Sequence, residues 1–241
     1  MDKIEQLQQI IDSSHKIVFF TGAGVSTDSG IPDFRSVDGL YNQQYAYPPE
    51  TIISHSFFVH DPEEFYRFYK DRMLYLDAKP NAVHRFMADL EKIGKCSGVI
   101  TQNIDGLHTL AGSKKVYELH GSVLNNYCTR CGKYFPVETI VNAEGVPHCD
   151  QCGAIIKPDV VLYEEPLNQS VLSGAIDTIE EADTLIVLGT SLVVYPAAGL
   201  INYFRGDNLV LINRSTTPYD RKADLHIQAS FSDVFPKLIV R

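Results

Sequence analysis

The stretch Thr21 to Arg35 reads TGAGVSTDSGIPDFR and follows the apolar run Ile17 to Phe20. A short apolar run closed by glycines predicts a buried parallel strand. Gly22 and Gly24 let the backbone turn sharply and approach a ligand closely. Strand, glycine turn and inward-facing N–H groups together make a phosphate cradle of the dinucleotide-binding kind. The usual third glycine is missing, because Thr27 takes its place. Asp33, Phe34 and Arg35 set an acid, an aromatic ring and a guanidinium beside the cradle. On residue chemistry alone, a capped surface loop also fits this stretch.

Working outward, strands are expected at 97–101, 115–119, 160–163, 184–188 and 208–212, with a last edge strand at 224–227. Helices are expected at 2–14, from the Asp61 cap through Met73, after the Asn81 cap, at 167–182, after Pro196 and at 231–240. This alternation predicts an α/β fold: a Rossmann-like parallel sheet with helices on both faces. The stretch 37–60 has no strong period and carries Pro48 and Pro49, so it reads as irregular. A single catalytic-size domain results. Its large part comprises 1–36, 80–123 and 157–241, interrupted by a helical insertion at 37–79 and a metal module at 124–156.

Composition narrows the function. The chain has 241 residues and a formal net charge of −9. An acidic chain lacks the basic face that nucleic-acid binding needs. No apolar run approaches the roughly 20 residues of a membrane helix, and the N-terminal stretch has no signal-peptide core. A soluble cytoplasmic protein is expected. Of the five cysteines, four form Cys128-x-x-Cys131 and Cys149-x-x-Cys152. That spacing predicts a Cys₄ zinc ribbon, and four thiolates leave no open position, so one structural Zn²⁺ is expected. Gly132 and Gly153 supply the knuckle turns. Cys96 is left over as a buried small hydrophobe.

Small polar groups gather where strands end, which is where ligands bind in open α/β sheets. Gln102, Asn103, Ile104 and Asp105 follow one strand, and Gly189, Thr190 and Ser191 follow another. Asn213 ends a third. His120 follows a short strand and precedes Gly121, a placement suited to a general base as well as to a structural role.

TGAG…SGIPDFR, TQNIDGLH at 101–108, His120-Gly121 and GTSL at 189–192, in this order, resemble the sirtuin family of bacterial type, the NAD-dependent protein-lysine deacylases. The resemblance implies that NAD is consumed as a co-substrate. Ala23, Thr27 and Arg35, with the backbone of Gly22 to Gly24, would hold phosphates and the adjoining ribose, with Asp33 nearby. Asn103, Ile104 and Asp105 would line a nicotinamide pocket, Asp105 reading the carboxamide and Gln102 the ribose. Phe34 would cover the reactive sugar face. Gly189, Thr190, Ser191 and Asn213 would contact the adenosine half, and Asp233 and Val234 would close the adenine pocket. His120 is implied as general base and Asn103 as its catalytic partner. The implied products are free lysine, nicotinamide and O-acetyl-ADP-ribose. An acyl-lysine peptide would dock as an extended strand between Val160 to Tyr163 and Val193 to Tyr195.

One feature departs from the family pattern and another matches only some of its members. Tyr163-Glu164-Glu165 stands where the family commonly has Phe-Gly-Glu, so Glu164 replaces a glycine and adds bulk and charge beside the peptide groove. Tyr69-x-x-Arg72 matches the pair that binds the carboxylate of succinyl or malonyl groups, which makes succinyl- or malonyl-lysine a second candidate substrate. A mono-ADP-ribosyltransferase or a non-catalytic NAD-binding module could be built on the same scaffold.

Overall fold

The computed structural model describes residues 2–33, 39 and 47–241, so the readings at Phe34 and Arg35 and the start of the helical insertion lie outside the described residues. The chain begins with α1 (Lys3–Ser13), β1 (Ile17–Thr21) and a 3-10 segment, Ala23–Ser29. Three helices follow: α2 (Pro49–Ile52), α3 (His55–His60) and α4 (Pro62–Arg72). Then come α5 (Ala82–Lys92), β2 (Cys96–Thr101), α6 (Leu107–Ala111) and β3 (Val116–Glu118). A second excursion holds β4 (Gly121–Cys128), β5 (Tyr134–Pro136), α7 (Val137–Asn142) and β6 (Ile156–Val160). The chain closes with α8 (Gln169–Glu180), β7 (Thr184–Leu188), β8 (Asn208–Asn213), β9 (Leu225–Gln228) and α9 (Phe231–Val234).

The larger sheet is parallel, in the order β3-β2-β1-β7-β8-β9. Strand order reverses between β1 and β7, and a crevice opens at the strand ends of such a switch point. The register brings Thr21 beside both Thr101 and Leu188, so three strands deliver their terminal loops to one place. Every residue of β1 and β7 is buried, because helices cover both faces. Alternate residues serve opposite cores. Phe19, Val99, Ile186 and Val210 face α1 and α5, whereas Phe20, Ile100, Val187 and Leu211 face α8.

The smaller sheet is antiparallel, in the order β5-β4-β6. It shares one core with α2 to α4: Phe58, Phe65, Tyr66 and Tyr69 pack with Phe135, Ile140, Cys149 and Ile156. Polar ties cross the same boundary. The Tyr66 hydroxyl donates to the Ile156 carbonyl, and Lys70 Nζ donates to the carbonyls of Ala143 at 2.6 Å and Gly145 at 3.0 Å. The two excursions thus build one small lobe.

Three local expectations change. The strand expected at 160–163 runs instead from Ile156 to Val160, including Pro158, which an edge strand tolerates because its outward N–H is not needed. The C-terminal helix is short: α9 gives way to a 3-10 turn at Phe235–Lys237, where Pro236 cannot continue it. Residues 49–60 hold α2 and α3, the latter capped when Ser54 Oγ accepts from the Phe57 N–H.

Candidate active site

The two glycine turns interlock. Gly24 N–H donates to the Gly189 carbonyl at 2.9 Å, and Gly22 N–H to that of Leu188 at 3.0 Å. A Cβ at Gly24 would lie 2.8 Å from Gly189 Cα, and one at Gly189, where φ is +60°, would lie 2.6 Å from Val25 N. Gly22 and Gly24 therefore let the first turn sit against the second, as well as against a ligand.

The interlocked turns floor a cleft of about 470 Å³ between the large sheet and the small lobe, a volume suited to a small-molecule ligand. Gly22, Ala23, Gly24, Thr27 and Asp33 line it. Gln102, Asn103, Ile104, Asp105 and His120 line it too, as do Gly189, Thr190, Ser191 and Asn213. Asp233 and Val234 are not brought to the cleft. Val234 is wholly buried in the core of the large domain, and Asp233 accepts a bond from Ser230 in the turn before α9. They follow Phe231, which does line the cleft, by two and three residues.

At the end of β2, Ser26 ties the polar groups together. Asn103 Nδ2 donates to Ser26 Oγ at 3.1 Å, and that hydroxyl donates to Asp105 Oδ2 at 2.6 Å. The Leu107 N–H donates to Asp105 Oδ1 at 2.9 Å. Burial raises the Asp105 carboxyl above the usual carboxylate range, and these bonds partly offset it. Asn213 Oδ1 accepts the Thr190 N–H at 3.1 Å, while its buried Nδ2 has no partner among the described residues. That orphan donor fits a cleft completed by a polar ligand. Ser26, Arg214 and Phe231 are lining residues missed by reading the sequence. A hydroxyl two residues past the second glycine and an arginine directly after Asn213 were the available signals.

His120 is held from behind. Its Nδ1 lies 3.0 Å from the Gln102 carbonyl, and a carbonyl only accepts, so Nδ1 carries the proton and Nε2 keeps its lone pair. Burial pushes the imidazole below its ordinary value of 6.5, and the Gln102 carbonyl pulls it partly back. A lowered value keeps the free-base form at lower pH. The acid limb of kcat/KM should therefore have its midpoint below 6.5, with rate full above it and lost below. A pH–rate profile with a midpoint above the ordinary histidine range would contradict this.

Tyr69 and Arg72 do not meet in the cleft. Tyr69 is 0% exposed and stacks on Phe65; Arg72 lines the cleft with its Nε 2.5 Å from Asp71 Oδ2. Glu164 adopts φ +76°, a left-handed conformation, and its carboxylate accepts from the N–H and hydroxyl of Ser56 at 2.8 and 2.9 Å. The charge that departs from the family pattern thus caps α3.

Cys128, Cys131, Cys149 and Cys152 cluster with ligand atoms all within 4.8 Å of one another. Sγ separations are 3.3 Å for Cys128–Cys152 and 3.7 Å for Cys131–Cys149. Tetrahedral Zn–S bonds require about 3.8 Å between sulfurs, so the donor set fits. Gly132 and Gly153 take φ of +70° and +74° in matching knuckles.

Fold and site define an α/β domain with a switch-point cleft that holds two glycine turns and a partly buried imidazole, and with a small lobe carrying a four-cysteine cluster beside it. The chain belongs to the Sir2 family, whose model matches residues 22–196. A Clostridium perfringens protein named NAD-dependent protein deacetylase is 59% identical over 241 residues, covering 99% of each chain. A Staphylococcus aureus protein of the same name is 49% identical over 238 residues, covering 98% of each. A Sir2 structure with a p53 peptide and NAD⁺ is 44% identical with a TM-score of 0.87, covering 98% of this chain and 97% of that one. Another, bound to an acetylated peptide, is 42% identical with a TM-score of 0.87 and the same coverage.

Proposed function

We propose that this protein is an NAD-dependent protein-lysine deacetylase yielding nicotinamide, O-acetyl-ADP-ribose and free lysine. The carrying observation is His120: Nδ1 is anchored on Gln102, leaving a free-base Nε2 in the cleft that both glycine turns floor. The acyl-lysine carbonyl oxygen bonds to the ribose carbon as the nicotinamide bond breaks; Nε2 then takes the proton of a ribose hydroxyl as that oxygen attacks the resulting imidate carbon, and water completes the release of free lysine. Asp105, fixed by Ser26 and Leu107, receives the nicotinamide carboxamide, and Asn103 lies on the same hydroxyl. The backbone of Gly22 to Gly24, with Ala23 and Thr27, holds phosphate. Gly189, Thr190, Ser191 and the Asn213 amide receive the adenosine half. The four cysteines hold one structural Zn²⁺, whose chemistry is to staple the lobe.

The acyl-lysine protein segment docks as an extended strand between Val160 to Tyr163 and Val193 to Tyr195. Tyr163, Val193 and Tyr195 are all exposed large apolar side chains there, and strand addition asks little of the peptide sequence. Among the described residues no helix is long and apolar enough to cross a membrane. Cysteines used in pairs as zinc ligands rather than as disulfides fit a reducing compartment, which supports a cytoplasmic location.

Acetyl should be favoured over succinyl, because only Arg72 of the acid-binding pair reaches the cleft. Zinc-loaded protein mixed with NAD and equal amounts of acetyl- and succinyl-lysine peptide tests this by mass spectrometry. The expected result is NAD-dependent loss of the acetyl group. Preferential loss of succinyl would reassign the substrate, and ADP-ribose left on protein would reassign the reaction.

A further inference from the structure

Two buried histidines lie outside the cleft and take no part in the chemistry assigned to it. His84 on α5 is 0% exposed and His108 on α6 is 2% exposed, and their ring centroids lie 4.7 Å apart. His84 Nδ1 accepts from the Asn81 N–H at 3.3 Å, which puts its proton on Nε2. His108 Nε2 lies 3.0 Å from Thr21 Oγ1. The remaining nitrogens, His84 Nε2 and His108 Nδ1, are buried without partners among the described residues: a donor on one ring and, with His108 donating to Thr21, an acceptor on the other. Burial pushes His84 down to about 4 and His108 down to about 3, so both rings are neutral at working pH.

Each end of this row grips the nucleotide turn. Thr21 immediately precedes Gly22, and its carbonyl accepts the Gln102 N–H at 3.0 Å. Asn81 Nδ2 donates to the Val25 carbonyl at 2.7 Å and to Ser29 Oγ at 3.0 Å, both in the 3-10 segment that follows the glycines. The start and the end of the turn are thus held by one polar row on α5 and α6.

We infer that His84 and His108 are positioning residues: with Asn81 and Thr21 they form a neutral clamp that presets the glycine turn and so sets NAD affinity. The inference rests on the assignment of that turn to NAD. The clamp touches neither substrate nor reacting atoms. Its loss raises KM for NAD and leaves KM for the acyl peptide alone. A loss of stability that leaves the chain folded at the assay temperature, checked by its Tm, would instead leave KM for NAD unmoved.

The test is calorimetric NAD binding and steady-state kinetics on the full zinc-loaded chain. Thr21→Val removes the hydroxyl at constant volume, and His108→Ala removes its partner. Each should raise Kd and KM for NAD roughly tenfold, with peptide KM unchanged. His108→Gln, whose amide can still donate to Thr21, and His84→Asn, which keeps an acceptor for the Asn81 N–H, should stay within about twofold of wild type. Wild-type NAD affinity in Thr21→Val overturns the clamp alone. Failure of the wild-type chain to bind NAD overturns the cleft assignment and the clamp with it.

Discussion

His120→Ala should cut kcat by about 10²–10⁴-fold, the usual contribution of a general base, while NAD binding persists. The geometry separates these effects. Nothing in the glycine interlock depends on the imidazole, whose polar contact among the described residues is the bond from Nδ1 to the Gln102 carbonyl. Losing that bond costs about 1 kcal/mol, which lowers the Tm of a chain this size by about 2–4 °C. The decisive measurement is the mixed one, turnover and NAD calorimetry on the same preparation. A near-normal rate with intact NAD binding would remove His120 from the mechanism. Ser26→Ala offers a graded companion, since it frees Asn103 and Asp105 from their shared hydroxyl.

Removing zinc, by chelation or by Cys149→Ser, should abolish activity although none of the four cysteines lines the cleft. Structural zinc contributes about 10–16 kcal/mol in small ribbons, comparable to the whole stability of a domain at about 5–15 kcal/mol. The loss should spread to α2, α3 and α4, because Cys128 and Cys149 share a core with Phe58, Phe65, Tyr66 and Tyr69. Those helices carry cleft residues: Arg72 ends α4, and Met73 follows it. Hydrogen exchange checks the extent. Amides of α4 and β4 should exchange faster in the zinc-free protein, while β1 and β7 keep their protection. Unchanged protection in α4 would show that the two excursions fold independently.

Much of this was readable in the chain because short-range chemistry decided it. The run at 184–188 is apolar throughout since both faces of β7 are covered, and Asp61 and Asn81 announce their helices by capping them. The paired cysteines carry their geometry in their spacing. What stayed hidden was tertiary. Ser26 looks like any turn serine until Asn103 and Asp105 arrive from β2, and Val234 looks like a pocket residue until its side chain is seen inside the core. Tyr69 and Arg72 share a helix at a suggestive spacing, yet burial gives one to the core and the other to the cleft. The strand expected at 160–163 starts earlier, at Ile156, because an edge position tolerates Pro158. For Ser26 the deciding neighbours, Asn103 and Asp105, are distant in sequence.

The interlock of Gly24 with Gly189 has a bearing on how the protein comes into being. The motif that marks the nucleotide site lies near the start of the chain, but its backbone is braced by a turn made much later, after β7. A contact between turns so far apart in sequence cannot form until the second turn has been synthesised. A nascent chain that has reached only the first half carries the motif without the cradle, and a fragment ending before β7 should not retain NAD. The dinucleotide then stabilises only the completed fold, by mass action, so the cell's supply of NAD acts on finished molecules and leaves growing chains untouched.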